Sequence, residues 1–157
     1  MNKKRELPLR IGVGIVLLNN KNKVFVGRRI DNPKKLWQMP QGGVNKNEEL
    51  LQAAKRELKE ETNVKSIELI KELDEWITYD LPKNLLGKVW RGKYKGQKQK
   101  WFVMKFLGDE KEINIKTKHP EFFEWKWIEL DKITDVVVDF KLDVYKKVKE
   151  KVKKIIN

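Results

Sequence analysis

Glu57, Glu60 and Glu61 stand at i, i+3 and i+4 in the run Arg56-Glu57-Leu58-Lys59-Glu60-Glu61. On a helix those spacings share one face. Like charges set there repel by roughly a few tenths of a kcal/mol per pair. A cation offsets that repulsion, and a divalent ion that prefers oxygen is the natural candidate. The plainer reading is a solvated acidic face partnered by Lys55 and Lys59. The triplet lies within residues 42–64, GGVNKNEELLQAAKRELKEETNV.

The elements that hold this segment come from a chain of 157 residues. That length suffices for one domain with a core, here residues 1–157, with 1–8 expected to be flexible. Hydrophobic residues make up 39%, too many for a wholly disordered chain. Cysteine is absent, which excludes disulfides and thiolate metal sites. No apolar run reaches the ~18 residues of a membrane span. The basic start Met1-Asn2-Lys3-Lys4-Arg5 lacks the apolar stretch of a signal peptide. A cytoplasmic monomer without a membrane partner is expected. The net charge of +13 has two readings, lysine-rich solvated faces or attraction to a polyanion such as RNA. Charge alone does not choose between them.

Residues 11–18 and 24–26 read as two strands joined by the polar turn Asn19-Asn20-Lys21-Asn22-Lys23. Residues 36–40 form a short extended piece before Gly42-Gly43. A helix is expected to start near Asn47 as N-cap and to end near Asn63, with Leu51, Ala54 and Leu58 as its apolar stripe. The carboxylates fall off that stripe, which leaves their face open for chemistry. Further strands are expected at 76–79, 100–107 and 124–128, and a loop at 80–96. A second helix spans 142–156, with Val144, Val148, Val152 and Ile155 inward. Strands and helices in mixed order predict an α+β chain folded as an α/β/α sandwich.

Gly42, Glu48, Arg56, Glu57, Leu58, Glu60, Glu61 and Val64 resemble the signature of the Nudix hydrolases. Asn63 stands where that family has glycine, and asparagine is the next residue to tolerate positive φ. The likeness continues outside the box. Arg28-Arg29, Trp37-Gln38-Met39-Pro40-Gln41, Tyr79-Asp80-Leu81-Pro82, residues 90–97, Gln99-Lys100-Trp101-Phe102, His119-Pro120-Glu121-Phe122 and residues 140–145 are similar to two branches of the family. These are the bacterial RNA pyrophosphohydrolases and the plant-type diadenosine tetraphosphate hydrolases.

The resemblance implies a Nudix-type sandwich with a mixed central sheet and a catalytic loop-helix from Gly42 to Val64. It implies hydrolysis of a phosphoanhydride, either at an RNA 5′ end or in a dinucleoside polyphosphate. A non-catalytic RNA-binding module is the rival from another class, and the intact acidic set speaks against it, since RNA binding calls for cations. Glu57, Glu60, Glu61 and Glu121 would hold Mg²⁺, for which Mn²⁺ can substitute. Arg56 would orient the acids with Glu48 in support, and Glu121 is a candidate general base. Arg10, Arg29 and Lys141 match positions that contact phosphates or nucleotide, Phe140 one that stacks on a base, and Gln41 a weaker contact. Gln97 and Lys100 are weaker candidates like Gln41, and the basic loop 88–100 is expected to wall the groove. His119 receives no catalytic role.

Overall fold

The computed structural model describes residues 7–31 and 36–156. The expectation for residues 1–8 therefore lies, as far as residue 6, outside the described residues. Pro8 already belongs to the fold, because its carbonyl accepts from the Lys95 N–H (3.0 Å).

Strands β1 (Leu9–Leu18) and β2 (Val24–Arg29) flank the expected polar turn. Asn19 shapes that turn, its side-chain oxygen accepting from the Lys21 and Lys23 N–H groups. The two strands share the register pair Leu18↔Val24 and then separate. Strands β3 (Trp37–Gln38) and β4 (Gln41–Gly43) fill the widening gap, β3 pairing with β2 and β4 with β1. Between them the Pro40 carbonyl accepts from Ile15 N–H (2.9 Å). This wedge carries the chain to helix α1 (Leu50–Thr62).

Strand β5 (Ile67–Glu72), β6 (Ile77–Asp80), β7 (Gly96–Phe106) and β8 (Phe122–Ile128) complete a mixed sheet. Its main path is β3-β2-β1-β7-β5. At the centre β1 and β7 run parallel from Leu9↔Gly96 to Leu18↔Lys105. Strand β7 is longer than the expected 100–107, because its first half pairs with β6 and its second with β5.

Central strands buried on both faces need apolar side chains at successive positions. Val13, Ile15 and Leu17 face one core with Phe102, Met104, Ala53, Ala54 and Leu58 of α1. Val16 and Leu18 face the other with Trp101, Val103 and the last helix. After a short helix α2 (Ile133–Val136), that last helix is α3 (Leu142–Ile156), which buries Val144, Tyr145, Val148 and Val152. Helices thus cover both faces, as the α/β/α expectation required.

The start of α1 differs from expectation. Its N-cap is Glu49, and Asn47 instead takes a left-handed turn (φ 65°). Glu48 bends back so that its carboxylate accepts from the Asn45 N–H (3.0 Å), which makes the turn before the helix compact. The other end matches: Asn63 is left-handed (φ 64°) and donates its N–H to the Lys59 carbonyl (2.8 Å).

Tyr145 ties α3 to the wedge. It is fully buried, and its hydroxyl accepts from the Met39 N–H (2.8 Å). Replacing Tyr145 by Phe leaves that buried donor unpaired, so unfolding free energy should fall by ~1–3 kcal/mol. Urea titration checks this, and an unchanged midpoint would contradict it.

Candidate active site

Arg56 occupies the middle of α1 and reaches across to the loop before it. Its Nε donates to Glu48 Oε2 (2.8 Å) and its Nη2 to Glu48 Oε1 (2.9 Å) and the Gly43 carbonyl (2.8 Å). Its Nη1 donates to Glu57 Oε1 (2.7 Å) and Glu60 Oε2 (3.2 Å). A guanidinium has five N–H donors in a rigid plane, and these contacts engage its whole fork. The paired guanidinium holds the Glu48 carboxyl down to about 2. Arg56 itself is raised by the same bonds.

Gly42 and Gly43 are required by close approach. A Cβ on Gly42 would collide with the Glu57 carboxylate, and one on Gly43 with the Arg10 guanidinium. The bare backbone of the wedge therefore lets a cation and a carboxylate settle against it.

The carboxylates do not share one open face, contrary to expectation. Glu61 is only 5% exposed, turned under the helix toward the sheet. Its carboxylate is hydrogen-bonded by the Gln41 backbone N–H, while Oε2 is buried without a partner. Burial, then the neighbouring Glu57 and Glu121 charges, push Glu61 well above the usual carboxylate range. Glu57 is raised mainly by burial, against the pull of Arg56. Glu60 is the exposed member and turns to Arg56. Among the described residues, no three acids yet converge into a finished metal shell. A buried carboxylate oxygen without a partner, next to two further negative charges, is nonetheless a donor set that suits a hard divalent cation.

A cleft of about 800 Å³ opens in front of these acids. It brings together Glu57, Glu60, Glu61, Glu121, Arg10, Arg29, Gln41, Phe140 and Lys141. Arg56 stands behind it, holding the acids. The cations arrive with partners. Arg29 forms a two-pronged pair with Asp31 (2.7 Å each) and lies 3.8 Å from Glu121. Arg10 donates to Gln97 (2.9 Å) and lies over the Trp90 ring (5.1 Å). Trp90 takes a left-handed backbone (φ 51°) to present that ring, a conformation that costs about 1–3 kcal/mol for a bulky residue.

Lys141 is buried beside Gln38 Oε1 (3.3 Å). Burial, aided by the Arg29 charge, lowers it to about 7. Phe140 is half-buried and lies 5.7 Å from the Tyr79 ring, so it serves both the core and the cleft wall.

Three expectations need correction. Lys100 belongs to the fold: its Nζ donates to the Asp74 carbonyl (2.7 Å), approaches Glu72 and lies over Trp76. Gln97 does not line the cleft and acts by orienting Arg10. The loop 88–100 contributes Val89 and Trp90 to the wall, and none of its lysines. Asp31, Tyr79, Gln38 and Trp90 line the cleft without having been assigned roles. The Arg29–Asp31 spacing at a strand end was the available signal for the first of them.

Known proteins offer a comparison for this arrangement. The family model described as the NUDIX domain matches residues 8–148. A protein of Pelagibacter ubique (strain HTCC1062) named RNA pyrophosphohydrolase is 70% identical over 154 residues, covering 98% of each chain. The E. coli dihydroneopterin triphosphate pyrophosphohydrolase has a TM-score of 0.68 at 18% identity, covering 92% of this chain and 99% of its own. A C. elegans Ap4A hydrolase has a TM-score of 0.61 at 19% identity, covering 90% and 98%. At those identities the two structures establish the fold alone.

Glu61 gives a prediction about stability. Its folded pKa is raised, so above about pH 4.5 the unfolded chain ionises this group while the folded chain resists. Stability without divalent ions therefore falls as pH rises through that window. Glu61→Gln should raise Tm in metal-free buffer at neutral pH by a few degrees, and should abolish the stabilisation wild type gains from added Mg²⁺. Differential scanning fluorimetry checks both, and a lower Tm for the variant would contradict the reading. Arg56→Lys, which replaces the fork by a point charge, should lose ~2 kcal/mol or more of stability, measurable by the same melts.

Proposed function

The chain belongs to the Nudix family of hydrolases, which use divalent cations, and from that premise we propose that it converts 5′-triphosphorylated RNA to 5′-monophosphorylated RNA. The observation that carries this reading is the single cleft with an acidic end, Glu57, Glu60, Glu61 and Glu121, and a cationic, aromatic end, Arg29, Lys141 and the Phe140–Tyr79 pair. The name of the Pelagibacter relative at 70% identity supports the choice of RNA.

Glu57, Glu60, Glu61 and Glu121 would hold Mg²⁺. Bound there, the ion neutralises phosphate charge and activates water. Mn²⁺ shares the preference for oxygen and is expected to substitute. The chain's own residues do the remainder. Arg56 fixes Glu57 and Glu60 before substrate arrives, so little reorganisation is left for the reaction. Arg10, Arg29 and Lys141 bind phosphate oxygens, the two arginines through their planar forks. Asp31 must yield part of Arg29 to the phosphate. Phe140 stacks on a base beside Tyr79, and Gln41 closes the floor. Water attacks phosphorus, its proton passes to Glu121, and the bond between the α phosphate and the departing pyrophosphate breaks. The reading keeps a monomer acting in the cytoplasm, and no helix of the described residues is long and apolar enough to cross a membrane.

Dinucleoside polyphosphates present the same pairing of polyphosphate and base, so they are the second reading. Incubation with Mg²⁺ and 5′-triphosphorylated RNA should give a 5′ monophosphate and pyrophosphate, at a kcat/KM above that for diadenosine tetraphosphate. Folded protein that releases no pyrophosphate from the RNA would refute the proposal. Lys141 adds a pH signature. It loses its proton as pH climbs through about 7, so KM for the RNA should rise above that pH. Lys141→Arg keeps the charge and should flatten the rise, whereas an unaltered profile would remove Lys141 from substrate binding.

A further inference from the structure

Running outward from the cleft, one row of side chains has no task in the chemistry above. Strand β8 pairs with β2 through Glu124↔Arg28, and the next pair is Phe122↔Arg29. Phe123 is therefore an extra residue, a β-bulge opposite Arg28. Bulges re-aim side chains, and this one turns Phe123 onto the face that carries Arg28. The Arg28 guanidinium lies 4.7 Å from the Phe123 ring and 5.4 Å from the Trp37 ring. Lys126 Nζ lies 4.2 Å from the same Trp37 ring. The result is an alternating row of Lys126, Trp37, Arg28 and Phe123 along the surface of β8, β2 and β3.

Two facts keep this row from being ordinary packing. Phe123 is 50% exposed, with Lys126 exposed beside the half-buried Trp37. Trp37 also lines the cleft, so the row continues the substrate site without a break. Glu124 takes one Arg28 N–H (2.7 Å) and cancels part of the positive charge. What remains is a stacking surface with modest positive charge, the chemistry that single-stranded nucleic acids use: rings for bases and cations for the backbone. A protein partner would call for a larger apolar area than one exposed ring between cations.

We propose that Trp37, Arg28, Phe123 and Lys126 form a track for the single-stranded RNA that follows the nucleotides held in the cleft. The proposal rests on the RNA reading and deepens it: the cleft recognises the 5′ end, and the track recognises that a chain is attached. Phe123 offers its open face to a base, and Lys126 meets a backbone phosphate.

The test compares a 5′-triphosphorylated dinucleotide with an unstructured 5′-triphosphorylated RNA of roughly ten nucleotides, within the site sizes that such platforms cover. Wild type and Phe123→Ala/Lys126→Ala are assayed with Mg²⁺, with melting curves for both proteins. Both changed residues lie outside the cleft and are exposed, so folding and dinucleotide turnover should be unchanged. Wild type should favour the longer RNA by about tenfold in kcat/KM, equivalent to ~1.4 kcal/mol, and the variant should lose that preference through KM. The salt dependence of KM for the long RNA should also become shallower by about one phosphate contact. Equal turnover of both lengths by wild type, or a preference that survives in the variant, overturns the track while leaving the RNA reading intact. Turnover of diadenosine tetraphosphate with none of either RNA overturns the RNA reading and the track together.

Discussion

The Arg56 guanidinium binds Glu48, Gly43, Glu57 and Glu60 at once. The partners come from two pieces of chain, the loop leaving the wedge and the exposed side of α1. One rigid fork therefore sets where the loop lies against the helix and where two of the acids point. It also allows crowded carboxylates to exist in a folded chain. Glu48 is lowered to about 2 by this contact, whereas Glu61, which Arg56 does not reach, is driven up by burial. The arginine thus divides the acids into a satisfied group and an unsatisfied one. Glu61, the unsatisfied one, lines the cleft beside the satisfied Glu57 and Glu60.

The sheet supplies the foundation for that division. A β1–β2 hairpin with full pairing would leave no room for residues 37–43 between its strands. Because the strands separate after Leu18↔Val24, the wedge can enter, bond to both and deliver Gly42 and Gly43 to the foot of α1. Tyr145 then locks the wedge from the opposite face through Met39. Cores on both sides of β1 and β7 hold the arrangement still. The acids and the cations of the cleft are thereby fixed to one sheet.

Much of this was legible in the residues themselves. The alternation Val13, Ile15, Leu17 against Val16 and Leu18 marks a strand buried on both faces. Asn63 marks the helix end, because few residues tolerate positive φ. The spacing of Arg56 and the glutamates marks the acidic helix. Other features depend on tertiary contacts that no local pattern carries. Asn47 looks like an N-cap, yet Glu48 takes the loop N–H and moves the cap to Glu49. Glu61 looks exposed on a helical wheel, yet the wedge comes close enough to cover it. Lys100 looks like a site cation in the sequence, yet its Nζ goes to the Asp74 carbonyl. Asp31 is marked as a partner of Arg29 by its i+2 spacing alone.

Glu61, with its unpartnered carboxylate oxygen, and the neighbouring Glu57, held by Arg56, form an acidic pair suited to a divalent cation. Isothermal titration of Mg²⁺ into the protein tests it most directly, run at about pH 6 in two buffers of different ionisation enthalpy, since ligands must lose protons to bind a metal. Binding should be accompanied by proton release, with Glu61→Gln losing both the released proton and most of the affinity. Binding without proton release, at equal affinity in wild type and Glu61→Gln, would contradict it.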